Sequence, residues 1–570
     1  MLNKKDIIAM LEDIATYMEI QGENTFKISA YRKAAQALER DERSLAEIDN
    51  PAALSGIGKG TAGVIQEYID TGESSVLKEL QAQVPEGLLP LLKLPGLGGK
   101  KIGRLYQELG VTSAEELEAA CDHKEVQALS GFGAKSEEKI LTALKEAGSR
   151  PERLPIAEML PVAETVEQYL TEMDGITRWQ RAGSLRRMEE TVKDIDYIIS
   201  TTDAATVREQ LTSMPDIKEI TADGETKVSL VLAKGYHIGV DFRLVTDEQF
   251  ATTLHHFTGS KDHNVLMRQL AKGQDEKISE YGVENQATGD IQTFVDETAF
   301  YAHFGLHFIP PEARSGRDET EVFQSDYNVV AEADIVTDLH MHTTWSDGGF
   351  SIEEMVDAVR AKGYTHMAVT DHSKFLQVAN GLNEERLRRQ IEEVRRVNEE
   401  KQDIEVLAGT EMDIRPDGTL DFSDDLLKEL DFVIASIHSA FSQTQEELHH
   451  RLEQALSNPH VHMIAHPTGR LIGARSGYDI DVEWLMKRAA ETNTVLELNA
   501  NPNRLDLNAY WLRQAEAAGV MIAVNTDAHK VDMLEHMSAG VGMARKALLK
   551  PEQIVNTWTY ETLRRWLAKD

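Results

Sequence analysis

Three aspartates have the types and spacing expected of a divalent-cation site. The segment "DIDYIIS" places Asp194 and Asp196 one residue apart on an apolar run that predicts a buried strand, so both side chains share one face. A second apolar run, "HIGVDFRLV", carries Asp241. Carboxylates on adjacent strands repel one another unless a cation lies among them, and such hard oxygen ligands suit magnesium or manganese. An isolated D-x-D is usually a solvated strand end, but here the segment "GSLRR" precedes it. This segment offers a glycine turn at Gly183, a hydroxyl group and two guanidinium groups, which suit triphosphate oxygens.

A second set of residues suited to metal chemistry lies in the carboxy-terminal part of the chain. From about Ile335, short apolar runs alternate with amphipathic helical patterns, which indicates a parallel sheet with crossover helices, most simply a TIM-like barrel. Nearly every apolar run ends in a histidine or a carboxylate, so we expect these side chains at the carboxyl-terminal mouth of the barrel. The set comprises His340, His342, Asp347, His372, Glu411, His438, His466, Asp527 and His529. A single histidine at a strand end is more often structural, but nine residues in a repeated position favour a multinuclear site of zinc, manganese or iron.

The length of the chain and its cysteine content limit the number of domains and the types of metal site that it can have. At 570 residues the chain is too long for one core, so several domains are expected. Cys121 is the only cysteine, which excludes an intrachain disulfide and a thiolate zinc cluster. The sequence has no long apolar run and no signal pattern at Met1, so we expect a cytoplasmic protein that does not bind membranes.

The net charge argues against a nucleic-acid partner at first sight. Lysine and arginine total 60 against 96 aspartates and glutamates, a formal net charge of −36, whereas phosphate binding usually shows as a basic footprint. An acidic surface that serves solubility would account for most of these carboxylates. However, net charge averages over domains, and backbone amides and bound cations can also hold phosphates.

The first 150 residues contain a repeated turn that is suited to such backbone contacts. The segments "LSGIGKGTAGVI", "LPGLGGKKIGRLY" and "LSGFGAKSEEKIL" each place a G-x-G turn before an amphipathic helix. One copy could be an ordinary capping turn, but three copies are typical of helix-hairpin-helix binding to DNA without sequence specificity. The glycines at which the backbone could approach a phosphate are Gly56, Gly58, Gly96, Gly98, Gly131 and Gly133.

The residues from the amino-terminal repeats to about Pro311 resemble the family X DNA polymerases, the group that includes DNA polymerase beta. The resemblance is carried by "GSLRRMEETVKDID", by Asp241 and by "FTGSKDHNVLMR". It implies that the three aspartates hold two Mg²⁺ or Mn²⁺ ions for in-line attack of a primer 3′-hydroxyl on the α-phosphate of a nucleotide. It also implies contacts to the incoming nucleotide, the nascent base pair and the template from Arg153, Gly183, Ser184, Arg187, Asn264 and Arg268.

Three residues depart from the pattern of the beta-like members. Val64 stands where the best-known members carry the Schiff-base lysine of 5′-deoxyribose-phosphate lyase, so we predict that this lyase activity is absent or weak. His256 stands where tyrosine is usual, which puts the exclusion of ribonucleotides in question. Met188 stands where glycine is frequent, and the sequence attaches no consequence to it.

The region from about Ile335 onward resembles the polymerase and histidinol phosphatase (PHP) domain. The pattern H-x-H, D-H, E, H, H-P and D-x-H implies a site for three divalent ions, Mn²⁺ or Zn²⁺, that hydrolyses phosphoesters. The implied grouping places the first ion on His340, His342, Glu411 and Asp527, the second on Glu411, His438 and His466, and the third on Asp347, His372 and His529. Arg470 in "HPTGR" is a candidate phosphate contact, with a surface salt bridge as the alternative.

Together these patterns predict a multidomain enzyme. The expected units are a helical DNA-binding domain (1–80), fingers with helix-hairpin-helix repeats (81–150), an α/β nucleotidyltransferase palm (151–250), a thumb (251–315), a linker (316–334) and a (β/α)7 PHP barrel (335–570). The expected function is gap-filling DNA synthesis in base excision repair with a 3′-5′ exonuclease, and possible further cleavage at abasic sites or of 3′-phosphates. The expected partners are gapped or nicked primer-template DNA and dNTPs, and the expected state is a monomer.

Two other functions stay open from the sequence. One is a small-molecule phosphatase related to histidinol phosphatase, in which the polymerase half has only a regulatory role. The other is a DNA-binding scaffold in which the PHP residues hold structural metals. The complete carboxylate set in the palm argues against both.

Overall fold

A computed structural model describes residues 4–41, 45, 48, 50–94, 96–148, 152–233 and 237–568. Among these residues, no helix combines the length and the apolar character needed to cross a membrane. The predicted boundary between residues 150 and 151 lies outside the described residues.

The amino-terminal part of the chain is helical, as predicted. Its helices are α1 (Lys4–Gln21), α2 (Thr25–Glu39), α3 (Lys59–Thr71), α4 (Ser75–Gln83), α5 (Gly99–Leu109), α6 (Ala114–Asp122) and α7 (Ala134–Gly148). Helix α1 packs against both α2 and α5 through an apolar face that includes Ile7, Leu11 and Ile14. One apolar core connects these helices from Ile7 to Leu144.

The palm is a mixed sheet with helices packed against it. Its elements are β1 (Leu154–Pro155), α8 (Ile156–Glu172), β2 (Ile176–Ala182), α9 (Gly183–Arg186), β3 (Thr191–Val192), β4 (Asp194–Thr201), α10 (Ala204–Thr212), β5 (Ile217–Asp223), β6 (Lys227–Leu232) and β7 (Ile238–Val245). Five strands pair in the order β2-β4-β7-β6-β5, and β4 and β7 run parallel to each other. Buried apolar residues alternate with more exposed residues along β7. One face of the strand packs on the core and must be apolar, while the opposite face carries polar residues.

The thumb is a smaller α/β unit with its own core. It contains α11 (Phe250–Thr258), α12 (Lys261–Gly273), β8 (Glu276–Ser279), β9 (Gly282–Asn285), β10 (Ile291–Gln292), α13 (Glu297–His303) and α14 (Glu319–Val322). The three strands form an antiparallel sheet, and its core includes Met267, Phe300 and Tyr301.

The carboxy-terminal part confirms the predicted TIM-like (β/α)7 barrel. Its elements are β11 (Thr337–Asp338), α15 (Ile352–Ala361), β12 (His366–Val369), α16 (Glu384–Glu400), β13 (Glu405–Asp413), α17 (Asp424–Leu427), β14 (Phe432–Ser436), α18 (Gln445–Leu456), β15 (Met463–Ile464), α19 (Val482–Thr492), β16 (Val495–Asn499), α20 (Ala509–Ala518), β17 (Ile522–Asn525), α21 (Met537–Lys546) and α22 (Tyr560–Leu567). The seven strands are parallel and pair in sequence order from β11 to β17. A parallel bridge between Met341 and Ala528, just beyond the two outer strands, brings the ends of the sheet together.

Candidate functional site

The three palm aspartates meet at one edge of the mixed sheet. Asp194 and Asp196 lie on β4, and Asp196 is directly opposite Asp241 in the parallel pairing with β7. The backbone comes very close to these carboxylates, because a side chain at Gly183 would collide with Asp196 and one at Gly239 would collide with Asp194. Burial, together with repulsion from Asp241 and Asp194, raises the pKa of Asp196 to about 7. Such mutual repulsion is what a divalent cation would relieve.

Helix α9 brings the predicted nucleotide-binding residues to this edge. It follows β2 directly, and Ala182 at the end of β2 pairs with Asp196, so Gly183 and Ser184 lie beside the carboxylates. Arg187 donates to the carbonyl of Thr258 at the end of α11, while its Nε is buried without a hydrogen-bond partner. Burial lowers the pKa of Arg187, and the positive charge of Arg153 lowers it further, whereas Glu189 raises it.

Two of the remaining predicted nucleotide contacts, Arg153 and Asn264, have hydrogen-bond partners within the described residues. Arg153 Nε donates to Thr191 Oγ1 at 3.1 Å. Asn264 Nδ2 donates to the carbonyl of His256 at 2.8 Å, whereas its Oδ1 is buried without a hydrogen-bond partner. Arg268 and His256 line a thumb cleft of about 800 Å³. The thumb therefore brings Asn264 and Arg268 together around His256.

The six glycines of the amino-terminal repeats lie in turns that open helices. Gly56, Gly96 and Gly131 have φ values of 107°, 81° and 85°, a left-handed conformation that glycine adopts without strain. Gly58 and Gly98 are the N-cap residues of α3 and α5, and neither makes a side-chain cap. The second glycine of the third turn, Gly133, directly precedes α7. A side chain at Gly58, Gly96, Gly98 or Gly133 would meet no atom within 4 Å, so the backbone at these four positions in the three turns is open.

All nine predicted PHP residues meet at the mouth of the barrel. Glu411, at 0% relative exposure, lies at the centre. Its carboxylate oxygens lie 2.9 Å from His466 Nε2, 2.9 Å from His372 Nδ1 and 3.2 Å from His438 Nε2. His340 Nε2 lies 3.3 Å from the same carboxylate.

The remaining PHP residues complete the cluster around Asp527 and Asp347. His342 Nε2 lies 3.1 Å from Asp527 Oδ1. His529 Nε2 lies 3.3 Å from Asp347 Oδ1, and His372 Nε2 lies 3.7 Å from it.

The donor atoms of the mouth form three groups close enough to share a cation. These groups are His342, Asp347, His372 and His529; His340, His342 and Asp527; and His372, Glu411 and His438. His342 and His372 each belong to two groups, so these imidazoles lie between neighbouring cation positions.

The chemistry of the mouth fits divalent cations. The buried atoms His340 Nε2, His342 Nδ1, His372 Nδ1 and Glu411 Oε2 make no hydrogen bond of acceptable geometry, although the His340 and His372 nitrogens lie 3.3 and 2.9 Å from Glu411 Oε2. Such buried atoms are costly unless a cation binds them. Burial and the neighbouring imidazoles of His529 and His372 lower the pKa of His342 to about 3, so it is neutral and able to act as a ligand at neutral pH. The mixture of imidazole and carboxylate matches zinc or manganese.

A second layer of carboxylates that the sequence analysis did not identify orients these ligands. Glu497 on β16 accepts from His340 Nδ1 at 2.7 Å and from the backbone N–H of His466 at 2.7 Å. Asp413 lies 3.2 Å from His438 Nδ1. Such partners fix the orientation and the tautomer of a ligating histidine. The only sequence signal for Glu497 was a charged residue within the apolar run "VLELN".

Arg470 forms an ion pair between the barrel and the palm. Its two terminal nitrogens lie 3.0 and 2.9 Å from the carboxylate oxygens of Glu190. One of them also donates to the carbonyl of Leu505. Arg470 therefore forms the salt bridge that the sequence analysis gave as the alternative to a phosphate contact. This pair lies at the interface between barrel and palm, and only 13% of the arginine side chain is exposed.

Comparisons with known proteins match every part of this architecture. Family models match residues 2–74 (helix-hairpin-helix domain), 88–146 (SAM-like helix-hairpin-helix tandem), 253–315 (DNA polymerase beta thumb) and 338–501 (PHP domain). The chain is 56% identical over 569 residues to the DNA polymerase/3′-5′ exonuclease PolX of Bacillus subtilis, with 100% of both chains covered.

The barrel alone is also similar to smaller proteins. A probable phosphatase of Thermoanaerobacter sp. (strain X514) is 26% identical over 39% of this chain and 91% of its own length. A probable phosphatase of Acetivibrio thermocellus is 30% identical over 34% of this chain and 79% of its own length.

Proposed function

The chain belongs to the PolX family of DNA polymerase/3′-5′ exonucleases, and on this premise we propose that it extends DNA primers at the palm and shortens DNA 3′ ends at the PHP barrel. The observation that carries the proposal is the presence of two separate clusters of candidate metal ligands in one chain that matches such an enzyme over its full length. One cluster consists of carboxylates on a polymerase palm, and the other consists of imidazoles and carboxylates at a barrel mouth.

At the palm, Asp194, Asp196 and Asp241 would hold two Mg²⁺ or Mn²⁺ ions. Such ions lower the pKa of a primer hydroxyl and stabilise a departing pyrophosphate. The side chains of Ser184, Arg187 and Arg153 would bind the triphosphate oxygens beside Gly183, because hydroxyl and guanidinium donors suit phosphate geometry.

The thumb and the amino-terminal helices would position the DNA. We assign Asn264 and Arg268 to the nascent base pair and the template, since both lie by His256 in the thumb. The turns that hold Gly56, Gly58, Gly96, Gly98, Gly131 and Gly133 would bind the DNA backbone through open amides, which need no basic side chains and are therefore compatible with the acidic composition.

At the barrel mouth, the nine residues would hold three ions, Mn²⁺ or Zn²⁺. Such ions supply a nucleophilic water at neutral pH and neutralise phosphate charge. Glu497 and Asp413 would keep His340 and His438 in the orientation needed for binding.

The biological role that follows is repair of short gaps, most simply in base excision repair. We divide the chain into a DNA-binding domain (1–80), fingers (81–150), palm (151–250), thumb (251–315), linker (316–334) and PHP barrel (335–570), acting as a monomer on gapped or nicked DNA with dNTPs. A 3′ end that the barrel shortens is again a primer for the palm, so the two activities act on the same substrate class.

The test uses a 5′-labelled primer opposite a one-nucleotide gap with manganese, with and without dNTPs. The wild-type protein should extend the primer when dNTPs are present and shorten it when they are not. D194A/D196A should lose extension and keep shortening, whereas H340A/H342A should do the reverse. Asp425→Ala serves as the control, because 94% of the Asp425 side chain is exposed and it should leave both activities unchanged. Loss of both activities in either double variant would contradict the two-site assignment.

A second candidate activity of the barrel is hydrolysis of phosphomonoesters. The similarity to probable phosphatases over most of their length favours it. Release of phosphate from a 3′-phosphorylated primer by the wild-type protein, and not by H340A/H342A, would establish it at the same site. Hydrolysis of histidinol phosphate without any action on DNA ends would instead favour a small-molecule phosphatase.

A further inference from the structure

The open end of the α1–α2 helical hairpin lies against the loops that surround the barrel mouth. Lys530, which directly follows His529, donates to Asp6 Oδ1 in the first turn of α1 at 3.0 Å. Asn380 donates to the carbonyl of Glu39, the last residue of α2, at 3.4 Å. Two contacts, one at the start of α1 and one at the end of α2, thus place the open end of the hairpin at the edge of the PHP site.

This contact brings a second lysine close to the metal-binding carboxylates. Lys5 lies in the first turn of α1, next to Asp6. Burial lowers the pKa of Lys5, and Asp347 and Asp527 counteract this as nearby negative charges. Lys5 directly precedes Asp6, the partner of Lys530, so both lysines lie at the edge of the same mouth.

We propose that Lys5 and Lys530 form a cationic pair that binds the phosphodiester of the 3′-terminal nucleotide, so that the exonuclease site is built from helix α1 as well as from the barrel. The inference rests on the proposed exonuclease function and adds the groups that recognise its substrate. A single-stranded DNA 3′ end would replace Asp6 as the partner of Lys530, because a phosphodiester, like the carboxylate, offers charged acceptor oxygens to an ammonium group.

The role of the two lysines in hydrolysis is electrostatic. The oxygen of a water forms a bond to phosphorus, the bond from phosphorus to the 3′-oxygen of the preceding nucleotide breaks, and that oxygen leaves with a proton. The products are a nucleoside 5′-monophosphate and a DNA strand shortened by one nucleotide. The ammonium groups donate to the non-bridging oxygens, whose negative charge increases as the new bond forms, and they neither gain nor lose electrons.

The experiment compares Lys5→Met, Lys530→Met and Lys5→Arg in the full-length protein. Single-turnover shortening of a 5′-labelled single-stranded oligonucleotide with manganese should be roughly 10- to 100-fold slower in each methionine variant, the loss expected for a charged hydrogen bond. Lys5→Arg should recover part of the rate because it keeps the charge. Extension across a one-nucleotide gap and the thermal unfolding temperature should stay at their wild-type values.

A binding measurement separates contact with the substrate from a structural role. Thymidine 5′-monophosphate, a product of the reaction, should inhibit the wild-type exonuclease, and its inhibition constant should rise in Lys5→Met by roughly 10-fold. Lys78→Met is the matched control, because it removes one lysine charge from an exposed position of the same amino-terminal domain and should change neither value.

The outcomes separate this inference from the proposed function. If the wild-type protein shortens no DNA, the exonuclease assignment itself fails. If the wild type is active and Lys5→Met is equally fast, the cationic pair is overturned while the function stands. A faster Lys5→Met would also overturn it, because α1 would then be a cover that obstructs the mouth.

Discussion

At the scale of single residues, Glu497 should control the exonuclease without binding a cation itself. It is fully buried, and it accepts hydrogen bonds from both His340 and the backbone of His466. We expect Glu497→Gln to lower exonuclease activity or manganese affinity by about 10- to 100-fold, because the imidazole of His340 loses the carboxylate that orients it. Titration of the exonuclease rate against manganese concentration measures the effect.

The specificity of this effect can be checked at both sites. Glu483→Gln, an exposed change of the same type on α19, should keep the wild-type manganese dependence. Primer extension by Glu497→Gln should remain unchanged, because Glu497 lies on a barrel strand. An unchanged manganese requirement in Glu497→Gln would show that His340 is held by its other contacts.

The sequence could identify ligand types but not the groups that orient them. His340, His438 and Glu411 follow apolar runs, so their convergence at one end of a parallel barrel follows from strand geometry. Glu497 lies within such a run, and its role depends on His340, which is 157 positions away. Arg470 shows the same limit, since its partner Glu190 is 280 positions away.

At the scale of secondary-structure elements, a buried ion-pair network connects the thumb to the palm. Glu297 at the start of α13 lies 2.6 Å from Arg186 on α9 and 2.7 Å from Arg314. Arg186 also donates to Thr258 at the end of α11. The network therefore joins the helix that carries the nucleotide-binding residues to the thumb.

The stability that Glu297 contributes should depend on pH. Burial alone would raise its pKa, but Arg314 and Arg186 lower it from 4.5 to about 2. A carboxylate with a lowered pKa stabilises the fold fully above its unfolded-state pKa and loses that contribution as the pH falls through its folded-state value. The stabilisation, on the order of 3 kcal/mol, should therefore be complete above about pH 4.5 and decline towards about pH 2.

The variant Glu297→Gln tests this network. It leaves the buried Arg314 without its carboxylate, so the free energy of unfolding at neutral pH should fall by about 3 to 5 kcal/mol. The difference from wild type, followed by thermal unfolding, should shrink as the pH is lowered below about 4.5. Glu248→Gln, an exposed change near the same junction, is the control. A difference that stays constant with pH would argue that Glu297 is not ionised in the folded protein.

Element types were more predictable than their pairing. The alternating apolar pattern of "HIGVDFRLV" and the G-x-G turns before helices follow from local rules, and the structure confirms both as a strand and as helix-opening turns. The parallel register that sets Asp196 opposite Asp241 is a long-range feature. The sequence predicted that the two strands are adjacent, but the register depends on the packing of the whole sheet.

At the scale of the whole molecule, the palm and the barrel share one apolar core. The cluster extends from Leu154 in the palm to Ile554 in the barrel. Met188, which follows the nucleotide-binding segment and has a φ of 52°, packs closely against α21, since a side chain at Gly542 would lie 2.6 Å from it. The sequence attached no consequence to Met188, because its neighbour Gly542 is more than 350 positions away.

Two ion pairs beside this contact should hold the palm on the barrel. Arg470 pairs with Glu190, and Lys546 lies 2.8 Å from Glu189. Because these side chains are partly exposed and screened by solvent, we expect each pair to contribute about 1 kcal/mol. The double variant R470A/K546A should therefore lower the unfolding temperature of the palm by a few degrees, roughly 2–6 °C, and separate its transition from that of the barrel.

Differential scanning calorimetry of the manganese-loaded protein measures this separation. The control is Arg488→Ala, which removes two ion pairs, to Glu453 and Glu491, that lie within the barrel. It should destabilise the barrel and keep the cooperativity between barrel and palm, because no contact across the interface is lost. A single transition in R470A/K546A at the wild-type temperature would mean that the apolar contact of Met188 with α21 is sufficient to hold the two domains together.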